Sequence, residues 1–427
     1  MESGAGEIKA LAVPLHGRPL AQFPLHPLLK ERLSASGITR TTILQDLAFS
    51  EVLRGRDLIL RARRGSGKGL LTVLWAANRL LSGNGNEEAR PVALVVTSSP
   101  ERARALADWA RRLLEGLEHR VAVFSGEGPH LEAELPEVEK GPHLLFTTPD
   151  GLSRLLKWNL LRFHGLRLLV VDELEVMVSR SQTFVRQLLG KLPPPDRRQT
   201  LVLLGDLSYP ALEVAAEITR EPEEIYVEEG RRDFSGLKLA VIHVSEEEKW
   251  PLLLGILRQK GWPRALIFVN EKVTAQRLTD DLKAVGLKAA FLKPELPLPL
   301  RLNFLKGFAR GDYRLLVATD AGCRFIQDPE LELIINYDLP EVPSDFLQRA
   351  ARIRKESGEI LSLCDETGAF FLEAIEELLG RRMEVLYPEP EEEWLVSPAL
   401  VREELGGKGA APRRRPRPGK GRPRSRR

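Results

Sequence analysis

Cysteine is nearly missing from this chain: Cys323 and Cys364 are the only two in 427 residues. So small a number cannot build a disulfide framework, and it fits a reducing, cytoplasmic setting. Long apolar runs are missing too. No stretch of 18 apolar residues occurs, so no membrane span is expected. Met1-Glu2-Ser3-Gly4 opens the chain without the basic n-region and apolar core of a signal peptide. No short internal repeat is present. Acid is absent from residues 408–427, which carry ten Lys and Arg. The whole chain is +3, so the other 407 residues carry −7. A tail of Arg, Pro and Gly cannot bury a core and is expected to be disordered. Its charges, Arg413, Arg414 and Arg415 densest among them, suit phosphate backbones, with little sequence preference and strong salt dependence. A solubilising tail is the plainer alternative.

What is present supports real cores. Hydrophobic residues make up 43% of the chain, and its length suffices for two domains. Thirteen apolar runs read as strands, near 58–61, 92–97, 121–124, 143–146, 167–171, 200–204 and 224–227, then near 238–244, 265–269, 288–292, 313–318, 332–336 and 359–363. Helical periodicity fills the gaps, as at 100–116, 271–285 and 366–379. Ser99-Pro100 and Asp365 mark helix starts. Repeated strand–helix alternation predicts α/β architecture with parallel, doubly wound sheets. The polar stretch Glu228–Asp233 reads as a linker. The expected organisation is therefore 1–228, a linker at 229–236, 237–380, an acidic extension at 381–407 in which the pattern decays, and the tail at 408–427. The two halves look architecturally alike, two copies of one fold around a cleft.

Two motifs carry chemistry. Gly65-Ser66-Gly67-Lys68-Gly69 lies between the strand Leu58-Ile59-Leu60 and a helix beginning near Leu70. Glycines let backbone N–H groups turn inward, the helix N-terminus adds partial positive charge, and a lysine reaches the outer phosphates of a nucleotide. The hydroxyl that should follow the lysine to ligate Mg²⁺ is missing, because the residue is Gly69. The second motif is Asp172-Glu173-Leu174-Glu175, closing the strand Leu166–Val171. Carboxylates at the C-terminal end of a parallel strand face the ligand crevice of an α/β sheet. There Asp172 would hold Mg²⁺ and Glu173 would orient an attacking water. Taken singly, the turn is also readable as a surface loop and the acidic pair as a solvated strand end.

In order and spacing these residues resemble the DEAD-box family of ATP-dependent RNA helicases, over roughly residues 20–380. Gly37-Ile38-Thr39 through Gln45 resembles the Q motif, whose glutamine reads adenine; Phe23 is the candidate for stacking on the base. Thr148-Pro149-Asp150-Gly151 resembles Thr-Pro-Gly-Arg, a grip on RNA backbone. Ala318-Thr319-Asp320 with Arg324 resembles Ala-Thr-Asp…Arg-Gly-x-Asp, and Gln348-Arg349-Ala350-Ala351-Arg352 falls where His-Arg-x-Gly-Arg would be. The resemblance implies tandem RecA-like domains, with ATP and Mg²⁺ as cofactors and RNA as partner. It implies nucleotide contacts from Gln45, Gly65, Ser66, Gly67, Lys68, Gly69 and Asp172. RNA contacts would come from Thr148, Pro149, Thr319, Asp320, Arg324 and Arg349, and catalytic roles from Glu173, Arg352 and Lys355. The departures from the pattern are specific. Arg64 replaces the threonine before Gly65, and Gly69 removes the metal hydroxyl. Leu204-Gly205-Asp206 stands for Ser-Ala-Thr, Phe325 and Gln327 follow Arg324, and Lys355 replaces an arginine finger. Such a finger is worth roughly 10³–10⁵ in rate. Two functions follow from these residues: a helicase whose hydrolysis is weak or lost, or a non-catalytic RNA-binding scaffold.

Overall fold

Runs such as Leu168-Leu169-Val170-Val171 are apolar at every position, the pattern of a strand buried on both faces. A computed structural model bears this out. It describes residues 17–62, 65–82, 91–126, 130–227, 234, 236–323, 330–353, 357–387 and 391–406. Arg63, Arg64, Arg324, Lys355 and the 408–427 tail lie outside the described residues.

The strands of the first half are β1 (Leu58–Ala62), β2 (Ala93–Thr97), β3 (Val121–Phe124), β4 (Leu144–Thr147), β5 (Leu168–Asp172), β6 (Gln199–Leu204) and β7 (Glu223–Val227). Those of the second are β8 (Lys238–His243), β9 (Ala265–Phe268), β10 (Ala289–Leu292), β11 (Leu315–Ala318), β12 (Leu333–Asn336), β13 (Glu359–Cys364) and β14 (Glu384–Val385). Each half forms one seven-stranded parallel sheet. The orders are β3-β4-β2-β5-β6-β1-β7 and β10-β11-β9-β12-β13-β8-β14. Adding seven to each strand number of the first order produces the second, so the chain contains two copies of one fold. All thirteen expected strands are present; the added one is the short edge strand β14.

Helices pack on the sheets and bury the strand residues. Leu58, Leu60, Val95, Leu144, Phe146, Val170, Leu201 and Leu203 sit in one core, and Ala240, Ile242, Ile267, Val317, Ile335 and Leu361 in the other. The helix starts have local causes. Ser99 accepts from the Arg102 amide at 3.3 Å, and Asp365 accepts from the Gly368 amide at 2.6 Å, each satisfying an N–H that the helix leaves open.

The chain divides into two compact units, Met1–Arg232 with Leu296–Lys306, and Asp233–Glu295 with Gly307–Arg427. The region after 380 is more ordered than its composition suggested. Val396 and Val401 are buried, the Val396 amide donates to the Pro251 carbonyl at 3.1 Å, and Arg402 Nε donates to the Ala284 carbonyl at 3.2 Å. Gly255 has no side chain because Trp394 lies against it: a Cβ there would meet the Trp394 carbonyl oxygen. The helix Pro398–Gly406 thus completes the second core.

Candidate nucleotide-binding site

The phosphate loop is shaped by its glycines and clamped from outside. Gly65 and Gly67 have φ of 91° and 92°, the left-handed region that glycine enters without steric cost. Gly67 has a second reason to be glycine: a Cβ there would stand 2.6 Å from Gln45 Nε2 and 2.9 Å from Thr42 Oγ1. Both side chains come from the start of the helix Ile43–Leu53, where Thr42 and Gln45 form a capping box. Thr42 Oγ1 donates to the Ser66 carbonyl at 2.8 Å, and Gln45 Nε2 donates to the Gly67 carbonyl at 3.0 Å. Gln45 Oε1 accepts from the Thr42 amide at 2.9 Å. The glutamine expected at adenine is therefore buried, its Nε2 holding the loop and its Oε1 holding the helix start. Phe23 is not a stacking platform. It is 3% exposed, packs on Phe49 at 5.1 Å between ring centroids, and is covered by the Arg18 guanidinium.

Lys68 opens the helix Lys68–Leu81. Its Nζ donates to the Ala62 carbonyl and, at 3.1 Å, to the Leu204 carbonyl. Burial pulls the ammonium below its ordinary value, and Asp172 and Glu175 oppose that shift. Asp172, the last residue of β5, is completely buried. Burial raises its carboxyl against the pull of Arg102. Arg102 comes from the first turn of the helix Pro100–Leu113. Its Nε and Nη2 reach Asp172 Oδ2 at 2.9 and 2.7 Å. Asp172 Oδ1, Ser66 Oγ and Thr97 Oγ1 are buried without a hydrogen-bond partner, the condition of groups that meet a ligand.

Glu173 takes φ 61°, ψ 44° as the N-cap of the helix Leu174–Leu189. This left-handed conformation is costly for a non-glycine residue and is concentrated at functional sites. Ser98 Oγ donates to its Oε2. Glu175 Oε1 accepts from the Gly205 amide at 2.8 Å, and burial raises its carboxyl. A Cβ on residue 205 would lie 2.8 Å from that same oxygen. The glycine in Leu204-Gly205-Asp206 therefore makes room for the long glutamate of the acidic motif.

These residues offer Mg²⁺ few donors. Gly69 offers no hydroxyl, one oxygen of Asp172 is taken by a guanidinium, and a dication at the other would stand beside that positive charge. Among the described residues no group of three or more His, Cys, Asp or Glu is arranged to hold a metal ion.

The residues expected to touch RNA are distributed differently. The Thr148 hydroxyl is buried: it accepts from the Gly151 amide at 3.1 Å and donates to the Ser125 carbonyl at 2.8 Å. Thr148 is thus a helix cap. Pro149 does line a hollow of about 150 Å³, with Ser98, Pro100, Asp150, Arg180 and Phe184. In the second unit Arg349 turns inward. It is completely buried and places all five of its N–H donors. Asp320 Oδ1 and Oδ2 accept at 2.7 and 2.6 Å, Asn336 Oδ1 at 3.1 Å, the Asp338 carbonyl at 2.7 Å and Asn270 Oδ1 at 3.0 Å. Its plane also lies on the Phe268 ring. Every Arg349 donor is thus committed within the second unit, while Asp320 keeps one-third of its side chain exposed. Thr319 and Arg352 are buried. Sequence reasoning missed Arg102, Ser98 and Arg180, and the pairing of Glu175 with Gly205.

Fold and site together define a P-loop protein of tandem RecA-like α/β units. The DEAD/DEAH box helicase family matches residues 42–204, and the helicase conserved C-terminal domain matches residues 248–356. ATP-dependent RNA helicase RhlB of Idiomarina loihiensis is 31% identical over 86% of this chain and 87% of its own length. The RhlB of Actinobacillus succinogenes is 30% identical over 87% of this chain and 91% of its own. The chain belongs to the DEAD/DEAH box helicase family. The fold is also that of the RNA helicase Prp28 from Chaetomium thermophilum, solved with ADP. The two match at a TM-score of 0.57 and 23% identity, over 89% of this chain and 92% of that one.

Proposed function

We propose that this chain binds ATP at the phosphate loop and binds RNA, as a cytoplasmic DEAD-box RNA helicase whose ATP hydrolysis is weak or lost. The observation that carries the nucleotide reading is the convergence of a glycine loop, Lys68, Asp172 and a strained Glu173 at the C-terminal ends of β1, β5 and β6. Orphaned polar atoms of Ser66, Thr97 and Asp172 lie buried there as well. Weak hydrolysis rests on Gly69 and on Lys355 in place of an arginine finger. Lysine keeps the charge but loses the bidentate fork. RNA binding rests on family membership, on the Pro149–Arg180 hollow and on the Arg413–Arg415 tail. A non-catalytic RNA scaffold is the second reading, favoured by the loss of both hydroxyls in Leu204-Gly205-Asp206.

ATP turnover of purified protein, with and without single-stranded RNA, decides between them beside a Lys68→Ala control. The expected result is measurable ATP and RNA binding with turnover close to the control. Robust RNA-stimulated turnover that disappears in Lys68→Ala would show that the departures from the motif are tolerated.

A further inference from the structure

We propose that the Arg102 guanidinium takes the place of a divalent cation at the phosphate loop, so that this chain binds nucleoside polyphosphates without a metal. The inference rests on the nucleotide reading above and adds the identity of the cation.

Three independent features of the site meet at Arg102. The first is the bond to Asp172. Nε and Nη2 converge on Oδ2, so the charge of a completely buried carboxylate is already balanced by a side chain. A metal ion is thus not needed to neutralise it. The second is Gly69. A Cβ built there would stand 3.7 Å from Arg102 Nη2 and 3.3 Å from Leu106 Cδ2. A metal-ligating side chain at 69 would have to grow into the space beside the guanidinium. The bare position at 69 and the arginine thus share one corner of the site. The third is reach. The Arg102 side chain is one-third exposed, and its Nη1 donates to no other group among the described residues. Three N–H donors, one on Nη2 and two on Nη1, thus remain for phosphate oxygens, and Nη1 with Nη2 forms the planar fork that suits phosphate. Asp172 fixes the base of the fork and leaves its tip open. The helix that carries Arg102 begins at Ser99, just past the end of β2. The guanidinium therefore enters from the same strand ends as the loop.

The test is nucleotide affinity, read with a fluorescent ADP analogue on the full chain in excess Mg²⁺ and in EDTA. Wild type is expected to bind equally in both, within about twofold, since no metal bridges protein and phosphate. Arg102→Gln should lose about tenfold in EDTA and recover part of that with Mg²⁺, because a charge-assisted phosphate bond is gone and Asp172 is released. Arg102→Lys keeps a cation at the site and serves if the glutamine variant folds poorly. It should bind in EDTA more tightly than Arg102→Gln and less tightly than wild type. The double substitution Gly69→Thr with Arg102→Leu should rebuild a metal-dependent site, with affinity falling at least about tenfold from Mg²⁺ to EDTA. Wild-type binding that requires Mg²⁺, or that is unmoved by both Arg102 variants, overturns the inference while leaving nucleotide binding intact. No binding in either buffer overturns the nucleotide reading, and this inference with it.

Discussion

Each of the two sheets ends one of its strands near an aspartate gripped by a forked arginine, and the two pairs are mirror images. In the first unit the acid is buried and the base is open: Asp172 is 0% exposed and Arg102 33%. In the second unit the base is buried and the acid open: Arg349 is 0% exposed and Asp320 33%. Arg349 uses all five donors inside the protein, on Asp320, Asn270, Asn336 and the Asp338 carbonyl. Arg102 uses its donors on one oxygen and keeps others. A saturated, buried arginine can only hold a fold in place. An arginine bound through one edge is positioned for something else. An arginine–aspartate pair thus saturates its arginine in one unit and, at a different strand end of the other, leaves donors on which the proposed phosphate contact rests.

The comparison is broken most forcefully by removing the bases. Arg349→Ala removes the donor from the Asp320 carboxylate, the Oδ1 atoms of Asn270 and Asn336 and the Asp338 carbonyl. It should destabilise the second unit by about 3–5 kcal/mol, as removing one partner from a buried network does. Arg102→Ala should cost less, about 1–3 kcal/mol, because its site is partly wet and the carboxyl of Asp172 can protonate. Denaturant titration of both variants checks the order. Equal costs would show that the pairs play the same role.

A smaller effect is expected at the loop. Gly67→Ala must hold a left-handed residue, costing about 1–2 kcal/mol, and must also push Thr42 and Gln45 away. Its melting temperature should fall by a few degrees, with a loss of nucleotide affinity that Gly311→Ala, at an open turn of the second unit with φ 81°, does not share.

The pH dependence sharpens the contrast further. Burial raises Asp172 in the folded state above its unfolded value, so the native chain binds that proton more tightly than the unfolded chain does. Stability from this group is greatest below the ordinary aspartate pKa and is lost as pH rises through the raised value. Asp172→Asn keeps the neutral form at every pH. The difference between variant and wild type should therefore move in the variant's favour as pH rises from about 4. Thermal unfolding at stepped pH reads it. A difference that is flat, or of opposite slope, would mean that Arg102 outweighs burial.

The smallest effect on stability is expected from the tail, whose Arg, Pro and Gly composition cannot build a core. Deleting 408–427 should leave the melting temperature nearly unchanged and weaken binding to single-stranded RNA. It should also flatten the salt dependence of that binding, by about 0.7 in slope for each phosphate that the tail neutralises in the full chain. Unchanged or tighter RNA binding would mean that the tail instead masks the acidic body.

The strands were legible because their signal is local. Four consecutive apolar residues, as in β2 or β5, mark a strand buried on both faces, and polar or turn residues mark where such runs stop. The loop at Gly65–Lys68 was legible for the same reason: φ preference and phosphate chemistry belong to adjacent residues. The capping box reveals where local reading stops. Thr42 and Gln45 announce a helix start three residues apart, but not that both also reach across to the loop at Ser66 and Gly67.

The sequence by itself thus determined two parallel α/β units, the phosphate loop, the acidic strand end and a basic tail, because each is written in neighbouring residues. Only the tertiary structure decided what the charged side chains do. Arg102 and Arg104 are indistinguishable by spacing, yet Arg102 meets an aspartate 70 positions away while Arg104 turns to Glu134. Arg349 looks like a ligand-binding arginine until three segments of chain close around it. Gly205 looks like a lost motif until Glu175 is seen to occupy its space. Whether a charge is buried, paired or open depends on neighbours far apart in sequence, and no local pattern encodes them.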